Sequence, residues 1–443
     1  MRFVPGRNLL FGWALVALLA SGLGPWRQFT MVWVCGLVVL LIVALWDLLS
    51  AKRVQPNHVR CADIFRFSKD RAGSLEIVLE ASPGVGANVR FALALPPAFE
   101  NAQEEQAIAV PEPGKTIRIY WQTTPRRRGR FSDLIACQSW ESPMRLWEMR
   151  SRQPLACELR VYPNLFADRR QLAAQFLARN QSGAKRQRIV GRGRDFEKLR
   201  DYFPGDSFDE VHWKATAKRG RPITKVFQAE RTQEIYVVID ASRLSARPVT
   251  HDGRSQPVLE RYLTSALILL LAAQSQGDRF GLVVYDQGIR TYLKSGYGAG
   301  HYGACREALC ALQPNDGTPD MAEVVRALRM RIRGRALLVF LTDLTDPIVA
   351  EDFVKHARLL SRQHLVLLNQ LRAPDVAPLF SGNDVHSVGE IYEKLAGNAR
   401  WVEAQALAQK LSPLGVKAML LEDATLSAQL VSQYLAVKQR QAL

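Results

Sequence analysis

Apolar positions change their rhythm twice along the chain. From Leu9 to Trp26 and from Phe29 to Leu49 they are nearly unbroken, runs of roughly 18 and 21 residues, each close to the length that crosses a hydrocarbon core as a helix. Between about Val54 and Pro163 they alternate in short runs, such as Leu75–Leu79, Val89–Leu95 and Ile117–Trp121, with Pro- and Gly-bearing turns between them. That is the period of half-buried strands, and it predicts a small β-sandwich. After a predicted helix over Asp168–Asn180, and from Gln233 onward, dense β-branched runs alternate with helical patterns. Ile235–Asp240, Phe280–Asp286, Ala336–Asp343, His364–Leu371 and Val416–Leu421 are predicted strands. Leu259–Gln274, Tyr302–Leu312, Met321–Arg331, Ala350–Ser361, Val388–Leu411 and Leu426–Gln439 are predicted helices. Strand and helix in alternation build a Rossmann-like, doubly wound α/β sheet. The pattern therefore divides the chain into a helical hairpin at 1–53, a β-sandwich-like domain at 54–165, a connecting segment at 166–232 and an α/β domain at 233–443.

Charge orients the hairpin. Arg2 and Arg7 precede the first run, Lys52, Arg53 and Arg60 follow the second, and Arg27 stands alone in the turn Gly24–Gln28. By the positive-inside rule both ends face the cytoplasm. A cleaved signal peptide is the competing reading of the first run, with Ala20, Ser21 and Gly22 as its cleavage site, but the second run would still hold the chain in the membrane. Trp26, Trp33 and Trp46 lie near span ends, and Asp47 is expected to reach the headgroup region. Two spans are too few to make a transport pathway alone.

Of the 443 residues, 59 are Lys or Arg and 42 are Asp or Glu, a formal net charge of +17 that favours anionic neighbours. The six cysteines are scattered without CxxC or zinc-finger spacing, so they read as reduced thiols. The passage Ser182–Phe227 is rich in Lys and Arg but interleaved with Asp195, Glu197, Asp201, Asp206, Asp209 and Glu210, and carries Phe196, Tyr202, Phe203, Phe208 and Trp213. Mixed signs with aromatics point to a structural wrap or a protein interface rather than to nucleic acid. Within it, His212 reads as a structural hydrogen-bonding residue. Pro113–Thr116 imitates the end of a phosphate-binding loop, but it feeds a strand rather than a helix, and no GxGxxG follows the first α/β strand.

Ligands of open α/β sheets bind beyond the carboxyl ends of the strands. There the sequence places Asp240, with Ser242 two residues on, Asp343 at the end of a later strand, and Thr318 in the loop before the Met321 helix. These are hard oxygen donors of the kind that suit Mg2+. No Ser/His/acid, Cys/His or HExxH arrangement stands out, so a catalytic role is not expected.

The stretch Ile235–Asp343 resembles a von Willebrand factor A domain, whose metal-ion-dependent adhesion site combines DxSxS with a Thr and an Asp. More specifically, GRGRDFEKLRDYFPGDSFDEVHWKATAKRGRPITKVF at Gly191–Phe227, followed by the strand into DAS, is similar to the domain-of-unknown-function family number 58. PRRRGRF at Pro125–Phe131, VYPN at Val161–Asn164 and YLAVK at Tyr434–Lys438 extend the resemblance over nearly the whole chain. The resemblance implies a protein of the bacterial inner (cytoplasmic) membrane: two spans, lipid contact through the hairpin, and a cytoplasmic body with a von Willebrand factor A-like domain. It implies a protein-binding adaptor that works with a MoxR-type AAA+ ATPase in the assembly or maturation of target proteins. The alternatives are a membrane-tethered Mg-dependent hydrolase and, more weakly, an anionic-lipid or nucleic-acid binder. The adhesion-site pattern departs at Leu244, where a second Ser is wanted, and Ser245 comes one residue late. Asp240, Ser242, Thr318 and Asp343 are therefore a degenerate candidate Mg2+ site. Arg243, Arg247 and Arg254, read as one exposed loop beside it, are the candidate partner-binding residues.

Overall fold

The structure is a computed structural model and describes residues 2–23, 30–83, 88–101, 104–110, 112, 114–181, 195–203, 208, 211–228, 233–251, 253–381 and 387–440. The expected turn at Gly24–Gln28 with Trp26 and Arg27, the side chain of Trp33 and the Ser182–Arg194 part of the basic passage lie outside these residues. The chain divides into two compact units, Met1–Asn164 and Leu165–Leu443.

In the first unit the two apolar runs are helices, Arg7–Leu23 and Thr30–Lys52. Leu10, Phe11, Leu15 and Leu18 of one, and Leu41, Ile42, Leu45, Trp46 and Leu49 of the other, are exposed. Val34–Lys52 is long and apolar enough to cross a membrane. Past the helices the alternating runs form strands as their period requires: in Gly73–Glu80, Leu75, Ile77 and Leu79 are buried while the residues between them are not. That strand pairs antiparallel with Thr116–Pro125, Leu75 opposite Trp121. A five-stranded sheet runs in the order Arg2–Pro5, Trp147–Leu155, Leu134–Glu141, Asn88–Ala94, Gln106–Ala109. A four-stranded sheet runs His58–Cys61, Gly73–Glu80, Thr116–Pro125, Phe99–Asn101. Phe91, Leu93 and Ala136 of the first share one core with Leu75, Ile77 and Trp121 of the second, which makes a sandwich.

Two features here differ from the sequence expectation. Arg2–Pro5 is a strand rather than a bare charged flank: it pairs antiparallel with Trp147–Leu155, Arg2 opposite Arg150. The backbone N–H of Gly6 then donates to the Leu146 carbonyl at 2.7 Å. A Cβ at residue 6 would lie 2.9 Å from that oxygen, so only glycine fits. Asp47 does not reach outward to a headgroup. It is fully buried and accepts hydrogen bonds from the Ser142 hydroxyl (2.5 Å) and the backbone N–H groups of Met144 (3.1 Å) and Leu146 (3.3 Å). Trp147 Nε1 donates to the Ala44 carbonyl at 2.8 Å. A buried carboxylate must find donors, and the turn 142–147 of the sandwich supplies them.

The second unit is built on a six-stranded sheet in the order Ile289–Gly296, Arg279–Tyr285, Glu234–Asp240, Leu337–Leu341, Leu365–Leu371, Val416–Leu421. Ile289–Gly296 is antiparallel to its neighbour; the other pairings are parallel. Glu234–Asp240 is buried on both faces, hence its unbroken apolar run. One face carries the helices Val258–Ser275 and Leu426–Gln439, the other Met321–Arg331 and Pro347–Ser361. Val258–Ser275 is also apolar enough to span a membrane by composition, but it is the buried core helix of this unit. This is the von Willebrand factor A-like, doubly wound architecture expected from the sequence. The strand order reverses at Glu234–Asp240, which has later strands on one side and its immediate successor on the other, so its carboxyl end is the switch point where such sheets bind ligands.

Ahead of the sheet, the signature segment contributes an antiparallel pair, Asp195–Asp201 with Ile223–Gln228, and a short helix, Trp213–Arg219. His212 caps that helix: its Nδ1 accepts from the Ala215 N–H at 3.0 Å, and its own N–H donates to Ile223 O at 2.7 Å. Gly220 closes the helix in the left-handed conformation, φ 66°.

Candidate functional site

At the carboxyl edge of the sheet, Asp240 is fully buried. One oxygen accepts the Ser242 N–H at 2.8 Å and the other the Thr342 hydroxyl at 2.7 Å. Burial pushes its carboxyl above the ordinary carboxylate value; the hydrogen bonds from Ser242 and Thr342 oppose that rise, and Asp343 nearby adds to it. Ser242 caps a short 3-10 turn, Arg243–Ala246, accepting weakly from the Leu244 N–H at 3.4 Å, while the Ser245 hydroxyl returns to the Ser242 carbonyl at 2.8 Å. Leu244 packs against the apolar core on the face of Tyr236, Val238 and Phe340, so the position that departs from the adhesion-site pattern serves packing.

The turn is knitted to the neighbouring loops. Arg243 N–H donates to Gly317 O at 3.1 Å, and Asn315 N–H to Ala241 O at 2.8 Å. Thr318, Ser242, Asp240 and Asp343 are thus brought to one edge, as the sequence predicts. The phenol of Tyr262, buried and pushed well above its ordinary pKa by that burial, clamps the floor: it donates to Thr342 O at 2.8 Å and accepts from Leu371 N–H at 3.2 Å.

The arginines do not form a single exposed loop. Arg243 is exposed, but its Nε donates to Thr318 Oγ1 at 3.1 Å and its Nη2 to Asp346 at 2.7 Å. Arg247 is half-buried and turns inward: its Nη2 lies 3.0 Å from Asp343 Oδ2 and donates to Leu371 O at 3.2 Å. The approach to Asp343 is an ion pair off the hydrogen-bonding direction, leaving Asp343 Oδ2 and Arg247 Nε as buried polar atoms without a hydrogen-bond partner. Arg254 is exposed at the start of a second strand in a hairpin, Pro248–His251 with Arg254–Pro257. His251 of that hairpin meets Asp423, beyond the strand Val416–Leu421, at 2.5 Å. The segment from Arg243 to Pro257 therefore lies across the carboxyl ends of successive strands, touching the loops after Leu341, Leu371 and Leu421 in turn. A sequence period reports which face a residue occupies, not a partner a hundred residues away. Thr342 and Asp423 were accordingly missed as members of this edge, whereas Asp346 shares the stretch LTDLTD, Leu341–Asp346, with Asp343 and is legible as part of the same loop.

The donor set does not suit a divalent ion as it stands. Asp240 spends both oxygens internally, Thr318 receives Arg243, and Asp343 faces Arg247. Among the described residues, no group of three or more His, Cys, Asp or Glu converges as a metal site.

Residues 198–381 match the family model described as "Protein of unknown function DUF58". Two uncharacterized mycobacterial proteins, one from Mycobacterium tuberculosis (strain ATCC 25618 / H37Rv) and one from Mycobacterium bovis, are each 24% identical over 200 residues, 44% of this chain. The match spans 61% of their length. Among solved structures, conserved hypothetical protein BatB from Bacteroides thetaiotaomicron is similar with a TM-score of 0.30 and 16% identity, over 47% of this chain and 99% of that one. The SpRpn10 VWA domain has a TM-score of 0.27 and 11% identity, over 46% and 95%.

Proposed function

We propose that this chain, whose residues 198–381 match the DUF58 model, is a non-enzymatic, membrane-anchored adaptor that binds other proteins through the carboxyl edge of its α/β sheet. The observation that carries this reading is the edge itself. A half-buried cationic segment is stapled across the strand ends, with Arg243 and Arg254 outward and the acidic groups beneath already engaged. Such an edge presents guanidinium groups, which receive carboxylates bidentately, and among the described residues Asp240, Asp346 and Asp423 already accept hydrogen bonds within the fold. The exposed apolar flanks of Arg7–Leu23 and Thr30–Lys52 support membrane anchoring, since apolar surface of that extent is stable only in lipid or against another protein. The basic residues at both hairpin ends favour a cytoplasmic body at a bacterial inner membrane.

The proposed partner is an acidic surface on a MoxR-type AAA+ ATPase, with target assembly or maturation as the outcome. Capture of that ATPase by the full chain in detergent should weaken as salt rises. Arg243→Ala with Arg254→Ala should reduce it at least tenfold while leaving the melting profile in place. Arg247 is excluded from this test because it is half-buried against Asp343 and the Leu371 carbonyl, where its removal would disturb the fold. Undiminished capture by the double variant would remove the strand-end edge as the docking surface.

A further inference from the structure

Two of the oxygen donors that the sequence offers for a metal ion at this edge, Thr318 and Asp343, are held by this chain's own guanidiniums. Arg243 holds Thr318 Oγ1 and Asp346; Arg247 holds Asp343 and the Leu371 carbonyl. Together they bring the two positive charges of a divalent ion, fixed to the backbone on either side of Leu244, the residue that removes one oxygen donor from the pattern. Loss of a ligand and gain of two cations thus fall within five consecutive residues, Arg243–Arg247. The substitution is also chemically self-consistent. A guanidinium offers fixed N–H donors in a plane, which satisfy hydroxyl, carbonyl and carboxylate oxygens without the octahedral oxygen shell that Mg2+ demands.

We propose that Arg243 and Arg247 are the resident cation of this edge, so that it recognises a partner's carboxylate without a metal ion. The inference rests on the docking reading for its ligand and stands apart from it in its cation. Two buried atoms remain unpartnered by hydrogen bonds at this place, Asp343 Oδ2 and Arg247 Nε. Arg247 therefore stays beneath the surface, holding Asp343 where a cation would, and the Arg243 side chain in the same turn, 47% accessible, is the guanidinium that an incoming carboxylate meets. A metal-centred edge would bind its acidic ligand by completing a coordination shell and would fail on chelation. A guanidinium edge binds by charge-assisted hydrogen bonds and is indifferent to chelators.

The test uses the full chain in detergent, with Mn2+ as the probe and electron paramagnetic resonance to count bound ion. The unmodified protein is expected to take up no Mn2+ below millimolar concentration. Arg243→Ala/Leu244→Ser/Arg247→Ala, which removes both guanidiniums and restores the missing hydroxyl, is expected to bind Mn2+ at least tenfold more tightly. Arg243→Ala/Leu244→Ser is the second variant; it leaves the buried Arg247 pair intact and frees Thr318 and Asp346, and it should gain a smaller affinity. Sub-millimolar Mn2+ uptake by the unmodified chain, abolished by Asp343→Ala, would overturn the proposal. So would the absence of any gain in both variants. Neither result depends on a partner, so failure here is distinct from failure of ATPase capture. If capture is seen, its persistence in excess EDTA supports the guanidinium edge and its loss refutes it.

Discussion

Asp278 provides the sharpest energetic test of the α/β unit. Its carboxylate is 1% exposed and gathers three donors: the Gln233 N–H at 3.1 Å, the Tyr434 hydroxyl and Lys438 Nζ at 2.7 Å. Tyr434 and Lys438 are four apart on the helix Leu426–Gln439, so both reach from one face. Asp278→Ala leaves the fully buried phenol without its acceptor, at about 1–3 kcal/mol, and the Gln233 N–H without its partner, at about 1 kcal/mol. Lys438 is one-fifth exposed and keeps the Gln276 carbonyl at 3.2 Å, so it adds little. The sum is roughly 2–4 kcal/mol, or about 3–7 °C in the midpoint of thermal unfolding for a unit of this size. Tyr434→Phe alone should cost about 1–2 kcal/mol, but in the Asp278→Ala background it should cost nothing, because the hydroxyl is then already orphaned. Tryptophan fluorescence melts of the four proteins in detergent give this cycle. If Tyr434→Phe is equally costly in both backgrounds, the hydroxyl does not act through Asp278 and the reasoning is wrong.

Other outcomes follow from the same structure. Asp240 has its carboxyl raised by burial, so its contribution is present below the ordinary carboxylate value of about 3.9 and is lost as pH rises through the folded value. Asp240→Asn should flatten that decline in a series of melts across pH, and an unchanged slope would refute it. Asp423 has the opposite sign: burial raises it, but the His251 hydrogen bond and the Arg261 guanidinium outweigh burial and hold it low. Its contribution is present above about pH 4 and is lost as pH falls further, and Asp423→Asn should remove this acid limb from the same melts. Asp47→Ala strands three donors of the sandwich turn and should make the 142–147 segment several-fold more sensitive to limited proteolysis, whereas a headgroup role predicts no change. Gly281→Ala would set a Cβ 2.4 Å from the Tyr236 ring and 2.9 Å from Leu293 O, and should cost about 1–3 kcal/mol by overpacking, read as a lowered melting midpoint.

Periodicity in the sequence was most informative where burial is governed by one element's own face. The helices Met321–Arg331 and Val388–Leu411 and the strand Val416–Leu421 have the bounds their patterns predict. It was silent where exposure is mixed. Ile289–Gly296, an edge strand with irregular register, carries Arg290 and Lys294 among half-buried positions and shows no clean alternation. The hairpin Pro248–His251 with Arg254–Pro257 read as one exposed loop; prolines open its first strand and close its second. The Asp252–Gly253 pair was its available signal, and Gly253 has φ 73°, the left-handed conformation such turns need. At the site, the donors at strand ends were legible because strand ends are legible. The inward turn of Arg247 was not, since it depends on Asp343 and Leu371, which are distant in sequence and adjacent only in the folded sheet.

The strand Arg2–Pro5 has a bearing on how the protein is made. It is the outermost member of its sheet, yet its partner Trp147–Leu155 is synthesised only after both apolar helices and most of the sandwich. On the two-span reading, the ribosome releases the first residues long before their neighbour exists, and the helix Arg7–Leu23 must keep them on the side where that neighbour will appear. If only one of the two helices crossed, Arg2–Pro5 would be left on the opposite face of the bilayer from Trp147–Leu155, and that edge would stay open, the kind of unpaired edge that invites aggregation. On that reading, closing the sheet requires that both helices cross, whichever way the hairpin faces.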